Sequence, residues 1–173
     1  MELKNLFKKV YKKFICSIFL LFYGKIYFLK KKLEGIEVTK IYSIDNINLK
    51  KFSYKIFKIK EARIFTNYVE CLGIIKKNFL IKEISLQQVN GKLQKSINEI
   101  LKTGTPKILK KFQGNMLSIT QGASGHSNYS HWLLDIIPKL ILFSQKYDLN
   151  KIDYFYFSKL NSFQKQSLKF LSL

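Results

Sequence analysis

Apolar side chains recur at Leu3, Leu6, Phe7, Val10, Tyr11, Phe14, Ile15 and Ile18, while Lys4, Lys8, Lys9, Lys12 and Lys13 take the opposite face. That spacing predicts a basic amphipathic helix over residues 3–18. Residues 36–44 alternate loosely and predict a first strand, and residues 45–60 are lysine-rich with no clear period. Residues 62–65 and 69–75 predict strands, Lys77 and Asn78 a turn, and residues 79–81 a further strand, together a β-rich meander. From Gln87 to Lys111 the pattern turns polar, with a short helix expected around residues 93–101 and a break from Gly104 to Pro106. Pro106 keeps Thr105 out of helical conformation and favours an extended approach to the next strand.

The last third has a different order. A short apolar run, residues 115–120, leads into a small-residue loop, 121–127, and an apolar-periodic helix opens with Ser127 or Asn128 as its cap. Its expected sheet-facing stripe is Trp132, Leu133, Ile136, Ile137, Leu140, Ile141 and Phe143, and Pro138, about ten residues in, removes one backbone donor and should kink the helix, tilting its first turns. A turn at 148–151, an aromatic strand at 152–157 and a second helix from Asn161 follow. The order β-α-β-α predicts an α/β fold, in which ligands bind beyond the carboxyl ends of strands, where the 121–127 loop must lie. Both histidines, His126 and His131, fall in or just after that loop.

Length and composition narrow the picture. A chain of 173 residues, 47% hydrophobic and 15% aromatic, is sized for one folded domain. A net charge of +20 would ordinarily point to nucleic acid or an anionic membrane. Arg63 is the only arginine, however, and the lysine excess accompanies an excess of Ile, Asn and Phe that A/T-rich codons explain. Bidentate base and phosphate recognition leans on arginine, so no nucleic-acid partner is expected. The apolar run 14–23 is about half the length that spans a bilayer, Lys25 stops its extension, and no small-residue cleavage site follows it. The N-terminal helix therefore suits an anionic membrane surface, with a partner surface, its own domain, or a signal or anchor as alternatives, and the expected location is cytoplasmic and peripheral on the inner face of the membrane. Cys16 and Cys71 show no metal or disulfide spacing and fit a reducing compartment.

The chemistry concentrates around the loop and helix. A glycine- and serine-rich loop feeding a helix N-terminus can hold an anion, although turn geometry alone also accounts for such loops. Neither a P-loop nor GxGxxG is present, Ser124 is not in GxSxG, neither cysteine is near a histidine in sequence, and no zinc or EF-hand pattern occurs. His131 and Asp135 are neighbours on one side of the helix and can form a general-base pair. Asp135 is equally placed to pair with Lys139 on the surface. His126 and Tyr129 either line a pocket or cover it, and Trp132 reads as core.

The run SNYSHWLLDIIPKLILF, with KIDYFYFSKLNSFQKQSLKFLSL after it, resembles the catalytic region of glycosyltransferase family 61, bacterial members of which often sit in capsular or surface-polysaccharide gene sets. Asn128, Tyr129, His131, Trp132, Leu133, Asp135, Pro138 and Leu140 match the family motif, and Lys139 stands where arginine is usual. The stretch EARIFTNYVECLGIIKKNFLIKEISLQ resembles the family's β-rich entry segment, so the likeness covers residues 61–173. The resemblance implies a two-lobed GT-B-type fold of paired Rossmann-like domains, of which this chain is the first, acceptor-side lobe. Together with the amphipathic pattern it gives two regions, a basic membrane-surface helix, 1–34, and the lobe, 35–173. The implied reaction is inverting transfer of a sugar from a nucleotide donor to a glycan acceptor, with no metal or other cofactor. His131 and Asp135 are the implied base and orienting partner, in an order the motif leaves open, and Gly125, His126, Asn128, Tyr129 and Lys139 are the implied substrate-binding residues. Family members continue into a second Rossmann-like half that holds most of the donor site, so a truncated gene, a separately encoded second lobe or a fragment is implied, and the isolated chain is expected to transfer little sugar. The alternatives are a non-catalytic glycan- or partner-binding remnant and a charge-driven nucleic-acid binder.

Overall fold

The computed structural model describes residues 2–29, 33–44, 51–67, 70–94, 97–119, 128–157 and 160–171. In chain order the elements are helix α1 (Glu2–Tyr23), strands β1 (Tyr27–Phe28), β2 (Ile36–Ile44), β3 (Lys51–Ile59), β4 (Ala62–Thr66), β5 (Cys71–Lys76), β6 (Phe79–Leu80), β7 (Leu86–Val89) and β8 (Lys92–Leu93), and helix α2 (Ile100–Thr103). Strand β9 (Met116–Ser118), helix α3 (Tyr129–His131), a π-helical turn (Trp132–Ile136), helix α4 (Ile137–Ser144), strand β10 (Tyr154–Tyr156) and helix α5 (Ser162–Phe170) complete the chain. Helices and strands are mixed and the largest sheet is itself mixed, as in an α/β protein.

Two compact units divide the chain: Met1–Lys31 with Glu61–Phe112, and Lys32–Lys60 with Gln113–Leu173. The division differs from an N-terminal helix followed by a single lobe, because α1 is grouped with β4 to β8 and α2.

In the first unit β5 is the central strand. Every one of its residues is buried, with β4 antiparallel on one side and β6 and β7 antiparallel on the other. Strand β1 adds to β6 in parallel. Ile26, Phe65, Cys71, Ile75, Leu80 and Ile100 form the core. Gly73 leaves on β5 the space that the Ile100 side chain fills, which a Cβ would block. Beneath this core runs a polar seam. Asn98 donates to the carbonyls of Leu72 and Leu86 and accepts from the Ile100 N–H, so its buried amide is satisfied on both sides.

Two features of this unit depart from the pattern-based expectation. Residues 87–111 do not run as a polar stretch with a helix at 93–101. Leu86–Val89 and Lys92–Leu93 pair as a hairpin across Asn90 and Gly91, both with positive φ as two-residue hairpin loops favour, and the helix is only Ile100–Thr103. Helix α1 also extends past residue 18 to Tyr23. Among the described residues, no helix is long and apolar enough to cross a membrane.

In the second unit the stretch expected to lack a period contains β3, which pairs antiparallel with β2 along nine residues, from Ile36 opposite Ile59 to Ile44 opposite Lys51. The Thr39 and Tyr147 hydroxyls are hydrogen-bonded at 2.8 Å, which ties this hairpin to the segment after α4. Strands β9 and β10 pair in parallel, with the helical segment between them in sequence, a β-α-β connection as the order of elements predicts. Asn115 fixes the register at their start. Its N–H donates to Asp153 Oδ2, its side chain donates to the Lys151 carbonyl, and its own carbonyl accepts from the Asp153 and Tyr154 N–H groups. Ile119, Trp132, Ile136, Leu140 and Leu168 form the core of this unit.

Candidate functional site

The helix carrying the histidine begins where its sequence says it should. Asn128 is extended (φ −77°, ψ 113°) and its Oδ1 accepts the His131 N–H at 3.1 Å, so Asn128 is the cap and its side-chain oxygen is committed to the backbone. Ser127, the alternative cap, lies outside the described residues, as do Gly125 and His126 and the rest of the expected anion-binding loop.

Pro138 has no N–H to give the Leu134 carbonyl, and its ring would crowd that carbonyl in a regular helix. Before it, where a kink was expected, the structure has a π-helical turn in which the Ile137 N–H reaches back five residues to the Trp132 carbonyl. Trp132, Ile136, Leu140 and Phe143 are buried at spacings of four, four and three. Leu133 and Ile141, expected on the same face from the apolar periodicity, are instead exposed at 41% and 50%. Trp132 is core, fully enclosed by Phe157 and Phe163, with its Nε1 donating to Ser167 Oγ.

His131 and Asp135 meet as their spacing predicts: His131 Nδ1 and Asp135 Oδ2 are 2.8 Å apart, and both side chains are a little under half exposed. An ionised carboxylate only accepts, so this bond places the ring proton on Nδ1 when the imidazole is neutral and leaves the Nε2 lone pair available. Among the described residues no hydrogen bond to Nε2 is present. The ring is neither sealed in hydrocarbon nor held on the apolar face.

Lys139 approaches from one turn beyond Asp135. Its Nζ donates to the Ile119 carbonyl at 3.3 Å, immediately past the carboxyl end of β9. Burial pulls this ammonium below its ordinary 10.5, and the Asp135 carboxylate opposes that shift. Asp135 thus lies in the field of a cation on one side and bonds an imidazole on the other. Tyr129 is exposed on one face and packs its ring edge-on to Phe163 at 5.1 Å. Of the seven residues singled out, the structure brings together His131, Asp135 and Lys139, gives Asn128 and Tyr129 local structural work, and leaves Gly125 and His126 undescribed.

Sequence reasoning missed the partners that hold this helix in place, Ser167 and Phe163 on α5. Only the start of α5 was signalled: Asn161 and Gln164 form a capping box in which the Asn161 N–H donates to Gln164 Oε1 at 2.7 Å. Among the described residues, no cluster of three or more His, Cys, Asp or Glu side chains is placed to hold a metal ion. Comparison with protein-family models, with curated proteins and with solved structures returns no match.

Proposed function

We propose that this chain is the acceptor-side, Rossmann-like lobe of a two-lobed inverting glycosyltransferase resembling family 61, acting in capsular or surface-polysaccharide assembly at the cytoplasmic face of the inner membrane. The observation that supports it best is the 2.8 Å bond from Asp135 to His131 Nδ1, on a half-exposed ring at the start of a helix in a parallel β-α-β unit. In this reading Nε2 takes the proton of an acceptor hydroxyl. The hydroxyl oxygen bonds to the anomeric carbon of the donor as the bond from that carbon to the nucleotide phosphate breaks, which inverts the centre and leaves the electron pair on the phosphate. Asp135 keeps the ring oriented and stabilises the imidazolium that forms. Lys139 supplies a cation one turn away. The donor nucleotide would be held by a second Rossmann-like half as partner.

The test is a nucleotide-release assay on the purified chain, alone and mixed with a second half encoded downstream, using a panel of nucleotide sugars and oligosaccharide acceptors. Transfer is expected from the mixture and little from the chain alone. His131→Ala should lower the turnover of the mixture by about 10²–10⁴-fold, and Asp135→Asn by less. Unchanged turnover in His131→Ala removes the mechanism; glycan binding with no transfer in the mixture makes the chain a binding module instead.

A further inference from the structure

Helix α1 docks on its own unit through the side that carries its lysines, not through its apolar stripe. The docked contacts are Cys16, which is buried, Leu20, whose methyl fills the space at Gly104, and Tyr23, whose hydroxyl accepts the Leu109 N–H at 3.1 Å and whose ring lies under the Arg63 guanidinium. At helical spacing this seam runs back through Lys12, Lys9 and Asn5. The opposite side carries Leu3 (82% exposed), Leu6, Phe7 (73%), Val10, Phe14 (61%) and Leu21 (86%). Leu21 belongs to the turns that are docked, so the stripe continues outward along the whole helix, even where the back of the helix is occupied.

From Leu3 to Phe14 every side chain is exposed, so no core contact supports the first three turns. A stretch of that length is marginal as a helix in water unless something covers its apolar face. All five lysines of these turns are exposed, Lys4 and Lys13 at the borders of the stripe and Lys8, Lys9 and Lys12 behind it, and no acidic residue occurs between Leu3 and Leu33. We infer that this stripe lies in the interface of an anionic lipid bilayer, with α1 parallel to the membrane plane, the first unit behind it and the stems of the border lysines, Lys4 and Lys13, reaching to the head groups.

Charge complementarity selects this occupant. A second copy packed stripe to stripe would set the border lysines, Lys4 and Lys13, of both helices along one seam with no acidic residue of the helix beyond Glu2 to offset them, and a nucleic acid would engage the lysines while leaving Leu3, Phe7 and Phe14 in water. An anionic leaflet takes the apolar stripe and its border lysines at once. The surface is a property of α1 alone and holds whether or not the chain transfers sugar, so its test is separate from that of the catalytic reading.

The test is co-sedimentation of the full chain with phosphatidylcholine vesicles and with vesicles containing phosphatidylglycerol, across a salt series. Binding is expected to the anionic vesicles and to weaken with salt. Phe7→Glu/Phe14→Glu should weaken it by more than about tenfold, with the far-ultraviolet circular dichroism of the remaining fold retained. Lys4→Gln/Lys13→Gln should cost roughly fivefold per charge removed. The inference is overturned by absence of binding to anionic vesicles, by binding that both double variants leave unchanged, or by a dimer in light scattering that Phe7→Glu/Phe14→Glu dissociates while no vesicle binding is seen.

Discussion

The Trp132 indole Nε1 donates to Ser167 Oγ at 3.1 Å, and the same hydroxyl donates to the Phe163 carbonyl one turn earlier on α5. A bond 35 residues long in sequence thus fixes the rotation of the residue next to His131, and with it the direction of the imidazole. Ser167→Ala leaves the indole N–H without its partner and should destabilise by about 1–3 kcal/mol. Trp132→Ala, which also empties the space between Phe157 and Phe163, should cost about 3–5 kcal/mol. Urea denaturation of both variants measures the difference; near-equal losses would show that the hydroxyl, not the ring packing, holds the helix.

Asn98 is the corresponding keystone of the first unit. Replacing it with leucine removes its bonds to the Leu72 and Leu86 carbonyls and to the Ile100 N–H in a site that is 5% exposed. A loss of about 3 kcal/mol or more in urea unfolding is expected. A change under about 0.5 kcal/mol, the range of ordinary surface substitutions, would show that the seam is not load-carrying.

Cys71 should be chemically silent. Burial first, and then the nearby Glu99, push its thiol from 9.0 up to about 12, while the bond to Asn98 opposes the shift. Thiolate, the reactive form, is therefore scarce at pH 8, and labelling of Cys71 by iodoacetamide should follow global unfolding and not the concentration of reagent. The sign of the stability effect follows from proton counting. Between pH 9 and about 12 the unfolded chain releases a proton that the folded chain keeps, so stability is complete below that window and falls as pH rises through it. Cys71→Ala should flatten that part of the alkaline limb in pH-dependent unfolding.

Gly104 ends α2 at φ 65° and ψ −151°, a conformation that side chains essentially never adopt, and a Cβ there would meet the Leu20 methyl at 2.8 Å. Gly104→Ala should lower stability by about 1–3 kcal/mol and loosen α1 from its unit. Faster tryptic cleavage at Lys12 and Lys13 than in the parent chain checks the second effect, since those sites lie just before the docked turns.

The elements that local pattern governs were legible. Residues 36–44 alternate and are a strand; Asn128 caps; His131 and Asp135 meet because one helical turn separates them. The misses have physical causes. In β3 both faces carry apolar and basic side chains, since a two-stranded ribbon buries neither face fully, and the period of two is blurred by lysines. The hairpin at Asn90 and Gly91 has a strong turn dipeptide, but its strands are four and two residues long and one of them buries a glutamine, Gln87, so hydrophobicity gives no cue. The helical stripe expected to include Leu133 is too wide because the π-helical turn changes the azimuth of the residues at its start, whereas the exposure of Ile141, beyond that turn, has no explanation in the local winding. Long-range partners such as Ser167 leave no trace in local spacing at all.

The five-residue winding before Pro138 has one more consequence. It inserts a residue into the turn, so the segment from Asn128 to His131 is rotated by about 100° from where a regular helix would carry it. A variant lacking Leu133 or Leu134 could relax to ordinary winding with its hydrocarbon seam intact from Ile136 onward, yet its imidazole would then face another quarter of the surface. The aim of the histidine is thus encoded in the length of one turn as much as in the identity of the residue.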